Sequence, residues 1–150
     1  MTQRGDGRAD GIALCAGEAD GELLRLDEPL SFWGGTDLAT GVITDVHHPQ
    51  CGASLAGRVV VMSASRGSSS SSSVLAEQIR SGVAPAAMLL ATRDAIVVLG
   101  ALAAAEVYDV RMPILLTDAA GIPRSGRVRV SAGEDSGVVL WDGCGTSTAV

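Results

Sequence analysis

Arg66 and Gly67 lead into six serines in a row, Ser68 to Ser73. A guanidinium, a glycine and a line of hydroxyls suit the binding of a small anion, with a hydroxyl placed to donate a hydrogen bond or to take a proton. Arg66 brings a fixed charge and a planar fork matched to a carboxylate or a phosphate. Gly67 lets backbone approach closely. A serine hydroxyl is a weak acid, so a serine base needs a nearby cation or a metal-bound substrate to lower the cost of its alkoxide. The run is not a P-loop, since GxxxxGK[ST] and its lysine are absent, and no GxSxG elbow is present. Taken alone it also fits a flexible linker, helix capping or plain solvation by serine.

The flanking sequence narrows these readings. "GRVVVMS" (57–63) is a continuous apolar, β-branched run, the pattern of a strand buried on both faces. "VLAEQIRSG" after the serines has Leu75 and Ile79 four apart and Gly82 as a stop, which predicts a helix. A loop inside a strand-to-helix unit is a poor place for a linker. It lies where open α/β folds bind ligands, and a helix N-terminus offers free N–H groups and a positive dipole end.

The rest of the chain must build around this unit. Residues 1–10 are expected to form a mobile tail and 143–150 a C-terminal tail, with one domain at 11–142. "GIALCAGEADGELLRL" predicts strands at 11–16 and 21–26 joined by a turn at Gly17–Gly21, from alternating Ile12/Leu14 and Leu24/Leu26. A loop follows, then a short strand at 41–46, then a second loop. "PAAMLLA" (85–91) and "MPILLTD" read as strands. Between them "DAIVVLGALAAAEVYD" reads as a helix capped by Asp94, apolar nearly all round and so expected to be well buried. "GRVRVSAGEDSGVVLWD" closes the domain as a hairpin. The sum is a mixed α/β domain with strands gathered at both ends.

Bulk composition removes several functions. The 150 residues are 47% hydrophobic but 3% aromatic, so the core is built of small aliphatics. All basic residues are arginine, and the net charge is −6. That balance argues against nucleic acid and against an anionic membrane surface as partners. No apolar run reaches the roughly 18 residues of a membrane helix. The polar start "MTQRGDGRADG" lacks a signal peptide's apolar stretch, which makes the cytoplasm the expected location. Cys15, Cys51 and Cys144 form no CxxC pair and predict reduced thiols, with no metal site on this chain.

From "EPLSFWGG" through "TG" at 40–41, "HHP" at 47–49, the "GRV" strand, "RGSS", the helix and "APAA", the chain resembles the small-subunit, swivelling-domain family of aconitase X. The likeness spans about residues 11 to 142. It implies a swivelling β/β/α fold of mixed, barrel-like strands and two main helices, similar to the small domain of aconitases. It implies the small subunit of a heteromeric hydro-lyase. A large partner subunit would carry an iron or iron–sulfur group, with none bound by this chain alone, and the substrate would be a small anion. Two dehydrations are associated with the family: cis-3-hydroxy-L-proline to Δ1-pyrroline-2-carboxylate, the favoured expectation because Arg66 is the only obvious cation near the loop, and that of mevalonate 5-phosphate. In aconitase-type swivel domains the first serine of a Gly-Ser-Ser turn is the base, which carries over to Ser68, with Arg66, Gly67 and Ser69 binding substrate. Relatives often place Thr and Gly where this chain has Ser70 to Ser73, so the register of the supporting hydroxyls stays open. A stand-alone anion- or partner-binding module is the competing expectation from a different class.

Other residues carry weaker signals. His47 and His48 are adjacent in a loop and point apart, which favours structural or interface roles over a metal pair. Trp33, beside Gly34 and Gly35, suits either a subunit contact or a local core plug. Asp37 and Asp45 read as turn residues.

Overall fold

The computed structural model describes residues 7–142. The expectations for residues 1–6 and 143–150, and for Cys144, lie outside it. Seven strands form one closed barrel in the order β1-β5-β4-β3-β2-β6-β7, with β7 pairing back onto β1. They are β1 (Gly7–Cys15), β2 (Gly17–Arg25), β3 (Val59–Met62), β4 (Ala87–Leu90), β5 (Ile114–Leu116), β6 (Arg127–Ala132) and β7 (Ser136–Trp141). The β2, β3, β4 and β5 neighbours run parallel, and every other pairing is antiparallel. The helices are a short kinked turn α1 (Phe32–Gly35), α2 (Ser70–Ser81) and α3 (Ala95–Tyr108), with a 3₁₀ turn at Ala119–Gly121.

The continuous apolar runs of β3 and β4 follow from burial on both faces. Val59, Val61, Ala87 and Leu89 join Leu115, Val128, Val130 and Val139 in one core cluster, inside the barrel. Their alternates Val60, Met62, Met88 and Leu90 belong to a second cluster with Leu75 and Ile79 of α2 and Val97, Ala101 and Ala104 of α3. Small residues let the helices pack closely: a Cβ on Gly100 would lie 2.8 Å from the Ser72 carbonyl oxygen. Gly82 ends α2 in the left-handed conformation, as the sequence predicts.

Four expectations are corrected. The first strand begins at Gly7, so residues 7–10 are not tail: they pair with β7, Gly7 opposite Trp141. The turn at Gly17–Gly21 is absent. β2 already starts at Gly17 and pairs with β6 from that residue, leaving only Ala16 as a corner. The segment 41–46 forms no strand; Val42 and Ile43 make isolated bridges to Ser54 and Thr36. Ile43 is buried, so its apolar signal was that of a loop that dips into the core. Finally, α3 is not covered all round. Leu99, Leu102 and Val107 are exposed, because only the side bearing Val97, Gly100, Ala101 and Ala104 meets the rest of the fold.

Candidate active site

The serine loop leaves the C-terminal end of β3 and enters α2 at Ser70, so four of the six serines belong to the helix's first turn and a half. Arg66, Gly67, Ser68, Ser69 and Ser70 are exposed. Ser68 precedes the N-cap residue Ser69, whose own side chain makes no capping bond. The Ser68 Oγ accepts from the Ser70 N–H at 3.3 Å, and the Ser68 carbonyl accepts from the Ser71 N–H at 3.0 Å. The helix therefore points its positive end at the Ser68 hydroxyl, where it favours negative charge. Ser72 donates its hydroxyl to the Ser69 carbonyl.

Gly67 is required here. Its φ is +107°, and a Cβ would come within 2.6 Å of the Ser31 Oγ. Ser31 donates to the Trp33 carbonyl, and the Trp33 N–H donates to the Oγ of Ser71, which is buried. The "SFWGG" segment thus backs the serine loop from one side, and the Arg66 N–H donates to the Leu30 carbonyl next to it. Arg66's guanidinium lies 3.8 Å from the Glu28 carboxylate, both well exposed, so the pair is screened by water and weak.

His48 supports this arrangement as a structural residue. It is buried, its Nδ1 accepts from the Gln50 N–H, and its Nε2 therefore carries the proton and donates to the Glu28 carbonyl. His47 is exposed and its backbone N–H is held by the Asp45 carboxylate, the turn role expected of that residue. Asp37 caps a turn in the same way, through Ala39 and Thr40. Trp33 is 61% exposed, which overturns the core-plug reading; Phe32, its neighbour, is the buried plug.

Gln78, and the second role of Asp94, escaped the sequence. Gln78, fully buried in α2, donates to the Thr36 Oγ1 and the Asp37 carbonyl, tying the loop that follows "SFWGG" to the helix. Asp94 caps α3 through its Oδ1, accepting from the Ile96 and Val97 N–H groups, as predicted; its Oδ2 also accepts from both the N–H and the hydroxyl of Ser65. Burial would raise the Asp94 pKa, but the Ser65 hydroxyl and the three backbone N–H groups outweigh it and hold the carboxyl below its ordinary value. The β3–β4 register, Met62 opposite Leu90, places Thr92 beside Ser63, whose carbonyl accepts from the Thr92 N–H and hydroxyl. Arg93 thus sits on a segment anchored on both sides to the start of the serine loop. Among the described residues no three His, Cys, Asp or Glu side chains converge as a metal site would require. No helix among them is long and apolar enough to cross a membrane.

A mixed barrel carrying a strand–serine loop–helix unit on its outer side is a swivel-type domain. It superposes on the crystal structure of Thermococcus kodakaraensis aconitase X (holo-form) with a TM-score of 0.77 at 30% identity, covering 89% of this chain and 98% of that one. Residues 8–139 match the family model of the aconitase X swivel domain, and the chain belongs to that family. It is 48% identical over 101 residues to the cis-3-hydroxy-L-proline dehydratase of Pseudomonas aeruginosa, covering 67% of this chain and 17% of that protein. It is 33% identical over 131 residues to the phosphomevalonate dehydratase small subunit of Thermococcus gammatolerans, covering 87% of this chain and 95% of that one. The chain therefore spans less than a fifth of the length of the first relative and almost all of the second.

Proposed function

We propose that this chain is the small subunit of a hydro-lyase whose large partner carries most of the substrate contacts and the iron or iron–sulfur group, and that Ser68 is the base. The observation that carries the reading is the placement of Ser68: exposed, at the positive end of α2, two residues after Arg66. In cis-3-hydroxy-L-proline the proton to be removed lies on the carbon bearing the carboxylate, and the hydroxyl leaves from the next carbon. Ser68 Oγ, as its alkoxide, takes that proton and becomes the neutral hydroxyl as the C–O bond breaks, and the hydroxide released takes up a proton from solvent. Water departs, and the resulting enamine tautomerises to Δ1-pyrroline-2-carboxylate. The α2 dipole and the Ser70 N–H lower the cost of the alkoxide that must form on Ser68. Arg66 holds the carboxylate, Gly67 clears the approach, and Ser69 adds a hydroxyl donor.

The hydroxyproline substrate is favoured by the higher identity to the Pseudomonas enzyme. Mevalonate 5-phosphate is the second reading, supported by the near full-length match to the Thermococcus small subunit. Co-expression with the cognate large subunit and parallel assays on the two substrates separate them. Turnover of the phosphorylated substrate alone would replace the first reading with the second. Ser68→Ala should lower kcat by at least about 100-fold, the lower range for loss of a general base, with the complex still assembling. A variant turning over at near-normal rate would show that another group is the base. A stable monomer that binds a small anion unaided, and gains no activity with the large subunit, would instead mark a stand-alone binding module.

A further inference from the structure

We propose that Asp94 is a positioning residue for the serine loop as well as the cap of α3, with its second carboxylate oxygen latching Ser65 in place. The proposal rests on the reading of Ser68 as the base. Capping alone does not require a carboxylate: serine, threonine or asparagine cap a helix about as well. What aspartate adds is a second acceptor. Oδ1 takes the Ile96 and Val97 N–H groups at 3.1 and 3.3 Å, while Oδ2 takes the Ser65 N–H at 2.6 Å and the Ser65 hydroxyl. All four are donors, so only a side chain with two acceptor oxygens satisfies both sets. Ser65 directly precedes Arg66, and Ser65 also bridges to Leu30, so the latch sets where the Arg66–Ser69 turn begins. The carboxylate is buried, and the Ser65 groups on its Oδ2 lie 29 residues away in the chain. Proton transfer demands a base placed to a fraction of an ångström, and a loop loosened at its root loses that placement.

Asparagine breaks this arrangement selectively. If its oxygen keeps the α3 cap, its NH₂ meets the Ser65 N–H, donor against donor. Asp94→Asn and Asp94→Ser should both keep α3 capped while releasing the loop. In the full chain, hydrogen exchange at the Ser65 and Arg66 amides should accelerate by about tenfold or more, with the amides of Val98–Ala104 retaining their protection. In the complex with the large subunit, kcat should fall by about 10- to 100-fold. Adding Ser65→Ala to Asp94→Asn should cost little more, because the two residues act through one contact, and Ser65→Thr, which keeps the hydroxyl, should restore most of what Ser65→Ala loses. Unchanged exchange at Ser65 and Arg66, or equal loosening of α3, would overturn the proposal, as would independent, multiplying losses in the double variant. Should Ser68→Ala keep its turnover, the base assignment fails by itself; the exchange pattern still decides whether the latch exists.

Discussion

Asp94 and Ser68 show what a single residue can and cannot disclose. Asp94 is visible in the sequence as a cap, because the residue type and its position before an apolar helix are local signals. Its bond to Ser65 is not visible, since it depends on the register that sets β4 against β3. The same limit applies to Gly67: its freedom suggested close approach, but that the close neighbour is Ser31 follows from folding. A pH consequence belongs here. Asp94 is held below its ordinary pKa in the fold, so its ionised form stabilises the native state. That contribution is complete above the unfolded-state value and is lost as pH falls through the folded one. The stability gap between the native chain and Asp94→Asn should therefore be widest at neutral pH and narrow in acid, below the usual carboxylate range. Denaturant midpoints measured across that range check it; a gap that widens on acidification contradicts the stated environment of the carboxylate.

At the level of elements, the central β3-α2-β4-α3-β5 stretch was legible because each piece carries its own periodicity and stop signal. The terminal strands were legible as strands, but their neighbours were not. β1 and β2 follow one another through a single residue and yet pair with different partners, a choice made by barrel closure. The loops that back the site were misread where an apolar residue served a core plug rather than a strand, as at Ile43. The spacing of α2 and α3 depends on Gly100, which lies against the Ser72 carbonyl and Leu75. Gly100→Val would force a branched side chain into that contact. A stability loss of about 1–3 kcal/mol is expected for such overpacking, read from denaturant unfolding. Because the first turn of α2 is made of the serine run, the same substitution should also disturb the loop. A fully stable variant would show that the two helices can part without strain.

For the whole molecule, the proposed large partner would have to meet the surface around the serine loop. The serine loop is open to solvent; Trp33, whose backbone N–H is bonded to Ser71, is 61% exposed, and Val46 is 79% exposed. The Gly35 carbonyl accepts from the Thr44 and Asp45 N–H groups, which holds these two segments together. A large partner seated over the loop would cover both. Trp33→Ala should weaken association with the large subunit by about 2 kcal/mol or more, on the order of 30-fold in Kd. Its thermal midpoint should stay within a degree or two of the native chain, since Trp33 is largely exposed and its bond to Ser71 uses the backbone. Titration of the two subunits measures the first, and a melt of the isolated chain the second. Unchanged affinity would move the contact elsewhere on the surface.

The pairing of Gly7 with Trp141 has a consequence for how such a domain can be deployed. The first and last strands lie side by side, and they close the barrel against each other. A polypeptide joined before Gly7 or after Trp141 would start from paired positions, without prising open a sheet edge. The unit can therefore be tethered to a larger chain or supplied as a separate one with its architecture unaltered. Its relatives divide along that line: it corresponds to 17% of the Pseudomonas enzyme but to 95% of the Thermococcus small subunit.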